Sequence, residues 1–312
     1  MISKQESFVI VYVRSIAMFC IVLCHIQQAY NSKWAWIFNV GVQIFLAISG
    51  WLYGNKNISN WRKWYIDKLK KLYIPYISYV AIIFMVYKIF AIDCFSLKAL
   101  IIYLLDLQWL LGSVDGLTHL WFMTAIAICY IITPILQYLK NKDRASLGLF
   151  LLSIVGILNF FIFKIYLSIF SPLFVYIYIY MFVCLSPKQQ RIYLSSIIIA
   201  FIYVLLNIDW IFILDYTNYI NLLFHVLLGL LCVILPIKIV NKMNNELIVV
   251  YPLVGLLDKY SYFVYITHHI FMLGPLSIAF FTSNILFNII IMLILTCLTT
   301  LFLKFLSEKL IY

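Results

Sequence analysis

Apolar runs of about 20 residues recur along the whole chain, and polar residues are concentrated in the short stretches between them. A helix of that length crosses about 30 Å of hydrocarbon, so each run predicts one transmembrane helix. The predicted spans lie near residues 8–29, 35–54, 72–91, 117–138, 146–164, 166–185, 192–208, 217–238, 261–281 and 285–306. We therefore predict an all-α fold, a polytopic integral membrane helix bundle with about ten transmembrane helices, and a single transmembrane domain over residues 1–312.

The basic residues are distributed unevenly between the two sides of the membrane that ten spans would define. If the N-terminus is cytoplasmic, 17 of the 22 lysines and arginines face the cytosol, four face outward, and Arg14 lies within its span. An excess of basic residues in cytoplasmic loops is the usual determinant of orientation. Both termini are therefore predicted to be cytoplasmic.

Two apolar stretches do not fit the alternation of spans and loops. Residues 96–112 are interrupted by Lys98 and Asp106, which predicts an outer amphipathic or re-entrant segment. Residues 247–257 are too short to cross the membrane and contain Pro252, which predicts a segment at the inner interface.

Composition excludes several broad classes of protein. The chain is 66% hydrophobic and only 11% charged, which is incompatible with a soluble domain of 312 residues. Its net charge of +11 does not indicate nucleic-acid binding, because the basic residues lie mostly in short loops, where they set topology. The seven cysteines form no CxxC pair and all but Cys94 lie in apolar spans, so no disulfide or metal framework is predicted.

The first predicted span carries two polar side chains, Arg14 and His25. A charge within a bilayer helix costs roughly 3 kcal/mol or more, which makes a functional role the default hypothesis. Eleven residues of helix end about 20° past three full turns, so both side chains lie on one face, about 16 Å apart along the axis. That face would present a fixed cation deep in the membrane and a titratable imidazole nearer the outer side.

The second span and the loop after it offer weaker signals. The span contains four small residues that permit close helix packing, namely Gly41, Ala47, Ser49 and Gly50. In the basic loop that follows, Lys68 and Lys71 lie one helical turn apart and can share a face. This pair is compatible either with a positive-inside anchor or with a phosphate-binding patch for a cytosolic anionic ligand.

Polar residues also occur at the predicted outer edge of the fourth span and within the ninth. Asp115 and His119 are four residues apart and could pair if the helix begins early, although a histidine beside Trp121 is equally compatible with an interfacial residue. His268 and His269 point to different faces of the ninth span. At least one of them is predicted to face the protein interior, because lipid offers it no hydrogen-bond partner.

The remaining histidine and the missing motifs limit the alternatives. His225, in the eighth span, is predicted to be a hydrogen-bonded core residue. The sequence has neither an HxxxH nor an HExxH pair, intramembrane carboxylates are scarce, and there is no GxSxG motif. Neither a metal site nor a Ser/His/Asp hydrolase is therefore indicated.

Together, these stretches resemble the membrane-bound acyltransferase family 3 of bacteria, whose members O-acetylate surface glycans. The matching positions are, in chain order, Arg14 and His25; Val40, Gly41, Val42, Phe45, Ser49 and Gly50; Lys68, Leu69, Lys71, Leu72, Tyr73, Pro75 and Tyr76; His119 to Phe122, Tyr130 and Pro134; and Ser261, Tyr265 and His268. Five patterns in the family's order cover nearly the whole chain. The basic loop departs from the family, because lysine replaces the usual arginine and lacks the bidentate fork that fixes phosphate geometry.

The resemblance implies an O-acyltransferase in the bacterial cytoplasmic (inner) membrane. Such an enzyme moves an acyl group, with acetyl as the expected one, from cytosolic acyl-CoA to a hydroxyl of a cell-surface or lipid-linked glycan. The expected co-substrate is therefore acyl-CoA, in particular acetyl-CoA, without a metal. The expected partners are the lipid bilayer, the saccharide acceptor and glycan-assembly proteins, and no nucleic acid.

The resemblance also implies roles for individual residues. The implied site consists of His25 and Arg14 for catalysis, Arg14, Lys68 and Lys71 for the donor, and Asp115, His119, Trp121 and His268 for the acceptor. Arg14 would contact the donor and stabilise charge, while His25 would act as general base on the sugar hydroxyl, since an unperturbed imidazole suits neutral pH. Direct transfer and a covalent acyl-enzyme are both open.

Two other functions remain open on the sequence alone. A ten-helix bundle with an internal cation is compatible with a polysaccharide exporter or carrier, and some relatives are linked to polysaccharide export. A sensory or resistance module that binds a ligand without turnover is the third alternative. Acyl transfer predicts dependence on acyl-CoA, whereas export predicts that unmodified glycan accumulates inside cells that lack the protein.

Overall fold

The computed structural model of the protein describes residues 2–161, 167–207, 219–241 and 252–311, which form helices and connecting turns without any strand. In chain order the α-helices are α1 (Lys4–Ala29), α2 (Ala35–Phe38), α3 (Gly41–Gly54), α4 (Trp61–Lys68), α5 (Ile74–Ile89), α6 (Leu97–Leu104), α7 (Gln108–Leu111), α8 (Trp121–Asn141), α9 (Ala145–Phe161), α10 (Leu167–Phe182), α11 (Pro187–Asn207), α12 (Tyr219–Val240), α13 (Pro252–Thr267), α14 (His269–Met272) and α15 (Ile285–Ile311). A π-helical turn, Leu69–Tyr73, joins α4 to α5, and a 3-10 turn, Thr118–Leu120, precedes α8.

Most of the predicted spans correspond to apolar helices in the structure. In the described part of the chain, seven helical stretches are long and apolar enough to cross a membrane, namely Lys4–Ala29, Ala35–Gly54, Trp61–Ile89, Thr118–Asn141, Pro187–Asn207, Ile220–Val240 and Ile285–Ile311. The predicted spans at 146–164 and 166–185 correspond to shorter apolar helices, Ala145–Asn159 and Phe170–Phe182. The all-α membrane helix bundle is thus confirmed, while the number of ten spans and the cytoplasmic termini stay predictions.

The predicted ninth span, at 261–281, is wrong in its bounds. The helix there is α13, which begins at Pro252, and Pro252 suits a first helical position because its missing N–H needs no partner there. The helix ends at Thr267, and after the short α14 the backbone turns at Gly274, where φ is +98°. Of the interface segment predicted at 247–257, residues 252–257 form the start of α13, and their place at the inner interface stays a prediction. The remainder of that segment, like residues 209–216 between two predicted spans, lies outside the described residues.

By their internal contacts the residues group into two compact units. The first unit comprises Met1–Ile21, Trp36–Asn57 and Ile126–Asp258. Within it, α3 packs closely against α10 and α12, as its small residues predict. A Cβ added to Gly50 would lie 2.5 Å from the Tyr176 carbonyl oxygen, and one added to Gly41 would lie 2.5 Å from the Ala17 oxygen. Both positions therefore require glycine for the helices to approach this closely.

The second unit comprises Val22–Ala35, Ile58–Ala125 and Lys259–Tyr312, and in it α5 packs against α6 and α15. The segment from α6 to α7 runs alongside α5 and returns. Phe95, just before α6, lies against Phe84 near the end of α5, whereas the Tyr103 carbonyl accepts a 2.6 Å hydrogen bond from Tyr76 near its start. Those two positions on α5 are about 12 Å apart along the axis.

The return path of this segment is equally well defined. The Asp115 carbonyl accepts a 2.9 Å hydrogen bond from the Tyr87 hydroxyl, back near the end of α5. The two helices have eight and four residues, too few to cross a membrane. The segment thus runs along α5 and turns back, with its tip between Leu104 and Gln108. A return of this kind favours the re-entrant alternative for 96–112, which stays a prediction, and we call these residues the re-entrant segment.

The orientation of the chain can be tested by labelling single cysteines. We expect Ser113→Cys to react with a membrane-impermeant thiol reagent from outside intact cells, and Asn141→Cys to react only after permeabilisation. Both positions are exposed, so accessibility will report the side of the membrane rather than burial. Replacing Cys94 with serine in the parent removes the native thiol nearest to the predicted outer side. Equal labelling of both cysteines from outside would contradict the ten-span topology.

Candidate active site

Four of the five histidines of the chain form one cluster in the second unit. The rings of His25 and His268 lie 5.1 Å apart, measured between centroids, and those of His25 and His269 lie 4.6 Å apart. His119 stacks on His269 with centroids 4.5 Å apart and lies 5.2 Å from His268. The first, fourth and ninth predicted spans therefore contribute to one imidazole cluster, in which each ring contacts at least two others.

His25 is held in the tautomer that a general base requires. Its Nδ1 lies 2.7 Å from Oε1 of Gln28, one helical turn along α1. An amide oxygen can only accept a hydrogen bond, so Nδ1 carries the proton and Nε2 has the lone pair. The ring is only partly buried, which leaves it open to a ligand. The lone pair of Nε2 is thus available to take up a proton.

The other three imidazoles are also fixed by hydrogen bonds to oxygen. His119 donates from Nε2 to the Ile266 carbonyl at 2.9 Å, and His268 donates from Nδ1 to the Tyr265 carbonyl at 2.8 Å. His269 donates from Nδ1 to the Gly116 carbonyl at 3.0 Å, and its Nε2 accepts from the Thr118 hydroxyl at 3.2 Å. Each ring therefore presents its second nitrogen as an acceptor.

Two of these acceptors are buried without a hydrogen bond. Among the described residues, Nδ1 of His119 and Nε2 of His268 have no partner. Leaving a buried acceptor unpaired costs about 1–3 kcal/mol, so a hydrogen-bond donor is needed at this place. A ligand with hydroxyl groups would provide such donors.

Two glycines allow the loop before α8 to meet the turn after α14. Gly116 and Gly274 have positive φ angles of +81° and +98°, which side chains rarely adopt. A Cβ on Gly274 would lie 2.4 Å from the backbone nitrogen of Gly116. This contact fixes the Gly116 carbonyl that orients His269, so the local backbone supports the cluster.

The predicted pairing of Asp115 with His119 is wrong. The 3-10 turn begins only at Thr118, after a turn at Gly116, so the two residues do not share a helix face. Asp115 is exposed, whereas His119 is buried and donates to Ile266 instead. Trp121 packs against Trp109 of the re-entrant segment, with ring centroids 5.8 Å apart. In the part of the chain that the structure describes, the Trp121 ring contacts none of the four clustered histidines.

Arg14 has a carboxylate partner that the sequence pattern did not identify. Its Nη1 lies 2.9 Å from Oδ1 and 3.1 Å from Oδ2 of Asp258 in α13, within the first unit. The side chains of Arg14 and Asp258 are 28% and 16% exposed, so the pair is largely withdrawn from water. The cation predicted from α1 is therefore neutralised by an ion pair, which explains how the apolar helix tolerates it.

The two lysines of the basic loop are on different helical elements. Lys68 ends α4, and its ammonium lies 5.8 Å from the centre of the Trp64 ring, whereas Lys71 is exposed within the π-helical turn. The i→i+5 bonds of that turn widen the helix, and that Lys68 and Lys71 share a face stays a prediction. π-turns of this kind occur often at functional sites.

His225, the fifth histidine, lies outside the cluster and has the contacts of a core residue. His225 is buried and hydrogen-bonded to the Trp36 carbonyl, as predicted for a core residue. In the described part of the chain no group of three or more His, Cys, Asp or Glu side chains could hold a metal ion.

Sequence reasoning missed four residues that complete these arrangements. Gln28 could have been found from its i+3 spacing to His25, and Asp258 from the need of an intramembrane arginine for a counter-charge. His269 was noted only as a neighbour of His268, and Thr118 carried no signal of its own. Except for Gln28, which lies on the same helix as His25, their roles depend on contacts between segments that are far apart in the sequence.

Comparison with known proteins adds one result to this geometry. A protein-family model described as an acyltransferase domain, that of acyltransferase family 3, matches residues 10–306. The match covers nearly the whole chain and all four histidines of the cluster. No curated protein and no solved structure matches the sequence.

Proposed function

The chain belongs to acyltransferase family 3 and is a multi-pass membrane acyltransferase, and on that premise we propose that it transfers an acyl group from acyl-CoA to a hydroxyl of a cell-surface or lipid-linked glycan. We propose acetyl-CoA as the donor and the bacterial cytoplasmic membrane as the location. The single observation that carries the proposal is the histidine cluster, in which His25 has a free acceptor nitrogen beside two buried, unpaired ones.

The proposed acyl-transfer reaction follows from the tautomer of His25. Nε2 of His25 takes the proton from the acceptor hydroxyl while the oxygen attacks the thioester carbonyl carbon. A carbon–oxygen bond forms, the carbon–sulfur bond breaks, and the CoA thiolate receives the proton that His25 holds. The products are an ester and free CoA, so atoms and charges balance without a metal or an oxidant. His119 and His268 accept hydrogen bonds from hydroxyl groups of the saccharide and thereby orient it.

Mass spectrometry of surface glycans tests this function directly. Cells with the protein should carry acyl groups on a surface saccharide, seen as the added mass of each acetyl group, and cells without it should lack them. Incubation of membranes with labelled acetyl-CoA should transfer the label to the same saccharide. Accumulation of the unmodified glycan inside cells that lack the protein would instead indicate export.

The donor site is testable at the basic loop. Replacing Lys68 and Lys71 together with alanine should raise the KM for acyl-CoA by about tenfold, because two partly solvated phosphate contacts are lost. The expected kcat stays close to the wild-type value, because neither lysine touches the reacting atoms. Initial rates at varied acyl-CoA concentrations measure both constants.

A matched control comes from another basic loop on the same predicted side of the membrane. Lys142→Ala combined with Arg144→Ala removes two exposed charges without changing the loop before α5. This control should leave the KM unchanged. An unchanged KM in the Lys68 and Lys71 variant as well would assign both lysines to membrane anchoring.

A further inference from the structure

The tip of the re-entrant segment carries a carboxylate in an unusual position. Asp106 lies between α6 and α7 with φ of +54°, a left-handed backbone conformation that Asp and Asn adopt more readily than other side chains. It is only 9% exposed, and it is the only carboxylate among the buried residues of the described chain. A buried carboxylate is costly unless its oxygens are satisfied, so its contacts are informative.

Only one of the two carboxylate oxygens is satisfied. Oδ1 accepts hydrogen bonds from Nε2 of Gln108 at 2.9 Å and from the Thr124 hydroxyl at 3.1 Å. In the described part of the chain, Oδ2 accepts no hydrogen bond, and Asp106 forms no ion pair. The side chain therefore offers one oriented oxygen and a negative charge to a donor that the protein does not supply.

The surroundings of Asp106 are fixed by tyrosines. The Tyr76 hydroxyl donates to the Tyr103 carbonyl at 2.6 Å and to Oε1 of Gln108 at 3.1 Å, the same glutamine that binds Asp106. The Tyr73 hydroxyl donates to the Leu104 carbonyl, two residues before Asp106. The tip is thus tied on both sides of Asp106 to residues at the start of α5, and its oxygen is held in place.

The same contacts bring Asp106 next to the basic loop. Tyr73 is two residues after Lys71, and the Leu72 carbonyl accepts a hydrogen bond from Tyr262 of α13. A ligand whose phosphates bind Lys68 and Lys71 would present the part adjoining its phosphates to this tip. In acyl-CoA that part is the pantetheine arm, which has one hydroxyl and two amide N–H groups.

From this juxtaposition we infer that Asp106 is a binding residue for the pantetheine arm of the acyl donor, and that its Oδ2 accepts a hydrogen bond from an amide N–H or the hydroxyl of the arm. The inference rests on the proposed function. The negative charge repels the phosphates and attracts N–H and O–H donors, so the site lets the arm enter and keeps the pyrophosphate at the lysines.

The test compares CoA with adenosine 3′,5′-bisphosphate, which lacks the pantetheine arm and the phosphate that joins the arm to the nucleotide. CoA contains the arm, whereas adenosine 3′,5′-bisphosphate contains the nucleotide and its 3′-phosphate without the arm. In Asp106→Asn an NH₂ group stands in the place of one carboxylate oxygen, and asparagine tolerates the same backbone conformation. By calorimetry on the purified, detergent-solubilised protein, this variant should bind CoA at least about tenfold more weakly and the bisphosphate unchanged.

Asp93→Asn is the matched control, because it removes an exposed carboxylate from the same connection between α5 and α8. It should bind both ligands like the wild type. Equal affinity of wild type and Asp106→Asn for CoA, or an equal loss for both ligands, would overturn the inference. Failure of the wild type to bind CoA would instead overturn the proposed donor, and the inference with it.

Two further measurements keep the inference testable if Asp106→Asn does not fold. Hydrogen exchange on the wild-type protein should show that CoA protects peptides covering residues 103–109 and that the bisphosphate does not. Exchange of these peptides should also be the same in sodium chloride and choline chloride. Protection by sodium alone would assign the carboxylate to a cation and contradict binding of the arm.

Discussion

Replacing His25 with alanine is expected to lower the rate of acyl transfer by about 10²–10⁴-fold, the usual contribution of a general base. The His25 ring donates a hydrogen bond from Nδ1 to Gln28 and keeps the lone pair on Nε2. It can therefore take up the proton of the acceptor hydroxyl without a change of tautomer. The measurement is the rate of labelled acetyl transfer from acetyl-CoA to the saccharide in membranes. Protein amount, from a blot of the same membranes, normalises the rate.

Two further variants separate the base from the hydrogen bond. His25→Gln should be as inactive as His25→Ala, because an amide can form hydrogen bonds but cannot take up the proton. Gln28→Leu should cost less, because the base remains and only its preferred tautomer is lost. A purified His25→Ala protein that transfers acyl groups at nearly the wild-type rate would refute the base assignment and move it to His119 or His268.

The second large effect is expected at the ion pair between Arg14 and Asp258. Removing either residue leaves the other charge largely buried without its ion-pair partner. Arg14→Ala and Asp258→Ala should therefore each lower the free energy of unfolding by about 1–3 kcal/mol, a cost between those of exposed and of fully buried ion pairs. The double variant should cost less than the sum of the two, because neither charge is then left alone. Unfolding of the detergent-solubilised protein measures all three variants.

The acyl-transfer activity of these variants distinguishes a role of Arg14 in pairing with Asp258 from a role in the reaction. Per folded molecule, we expect transfer to fall in both variants that lack Arg14 and to persist in Asp258→Ala, since the family resemblance implies that Arg14 contacts the donor. Arg14→Lys should be milder than Arg14→Ala, because a single arginine nitrogen contacts both carboxylate oxygens and an ammonium can do the same. Full activity per folded molecule in the double variant would leave Arg14 with a packing role alone.

Much of the fold was predictable because membrane insertion imposes a strong length constraint. An apolar run long enough to cross the bilayer must form a helix, so spans such as Lys4–Ala29 and Ile285–Ile311 followed from the sequence within a few residues. The error at residues 261–281 arose where that constraint is weak. Around Pro252 and Gly274, helix ends depend on local turns and packing, to which hydropathy is insensitive.

The candidate site was predictable to the extent that a polar residue in an apolar span is costly. That cost identified Arg14, His25, His119 and His268 one by one. It could not identify their partners, because Asp258 lies 244 residues from Arg14, and His119 bonds to a carbonyl 147 residues away. The predicted pair of Asp115 and His119 failed for the related reason that it depended on where a helix begins.

By itself, then, the sequence determined that this protein is a helical membrane bundle with an arginine and a histidine on one face of its first helix, because both conclusions follow from local hydropathy and helix periodicity. Only the tertiary structure decided that His25 joins three other histidines, that Arg14 is neutralised by Asp258, and that Asp106 is buried at a re-entrant tip. These three features depend on which faces of the helices pack against each other. In a chain that is 66% hydrophobic, almost every face is apolar enough to meet another, so the pattern alone does not select the partners.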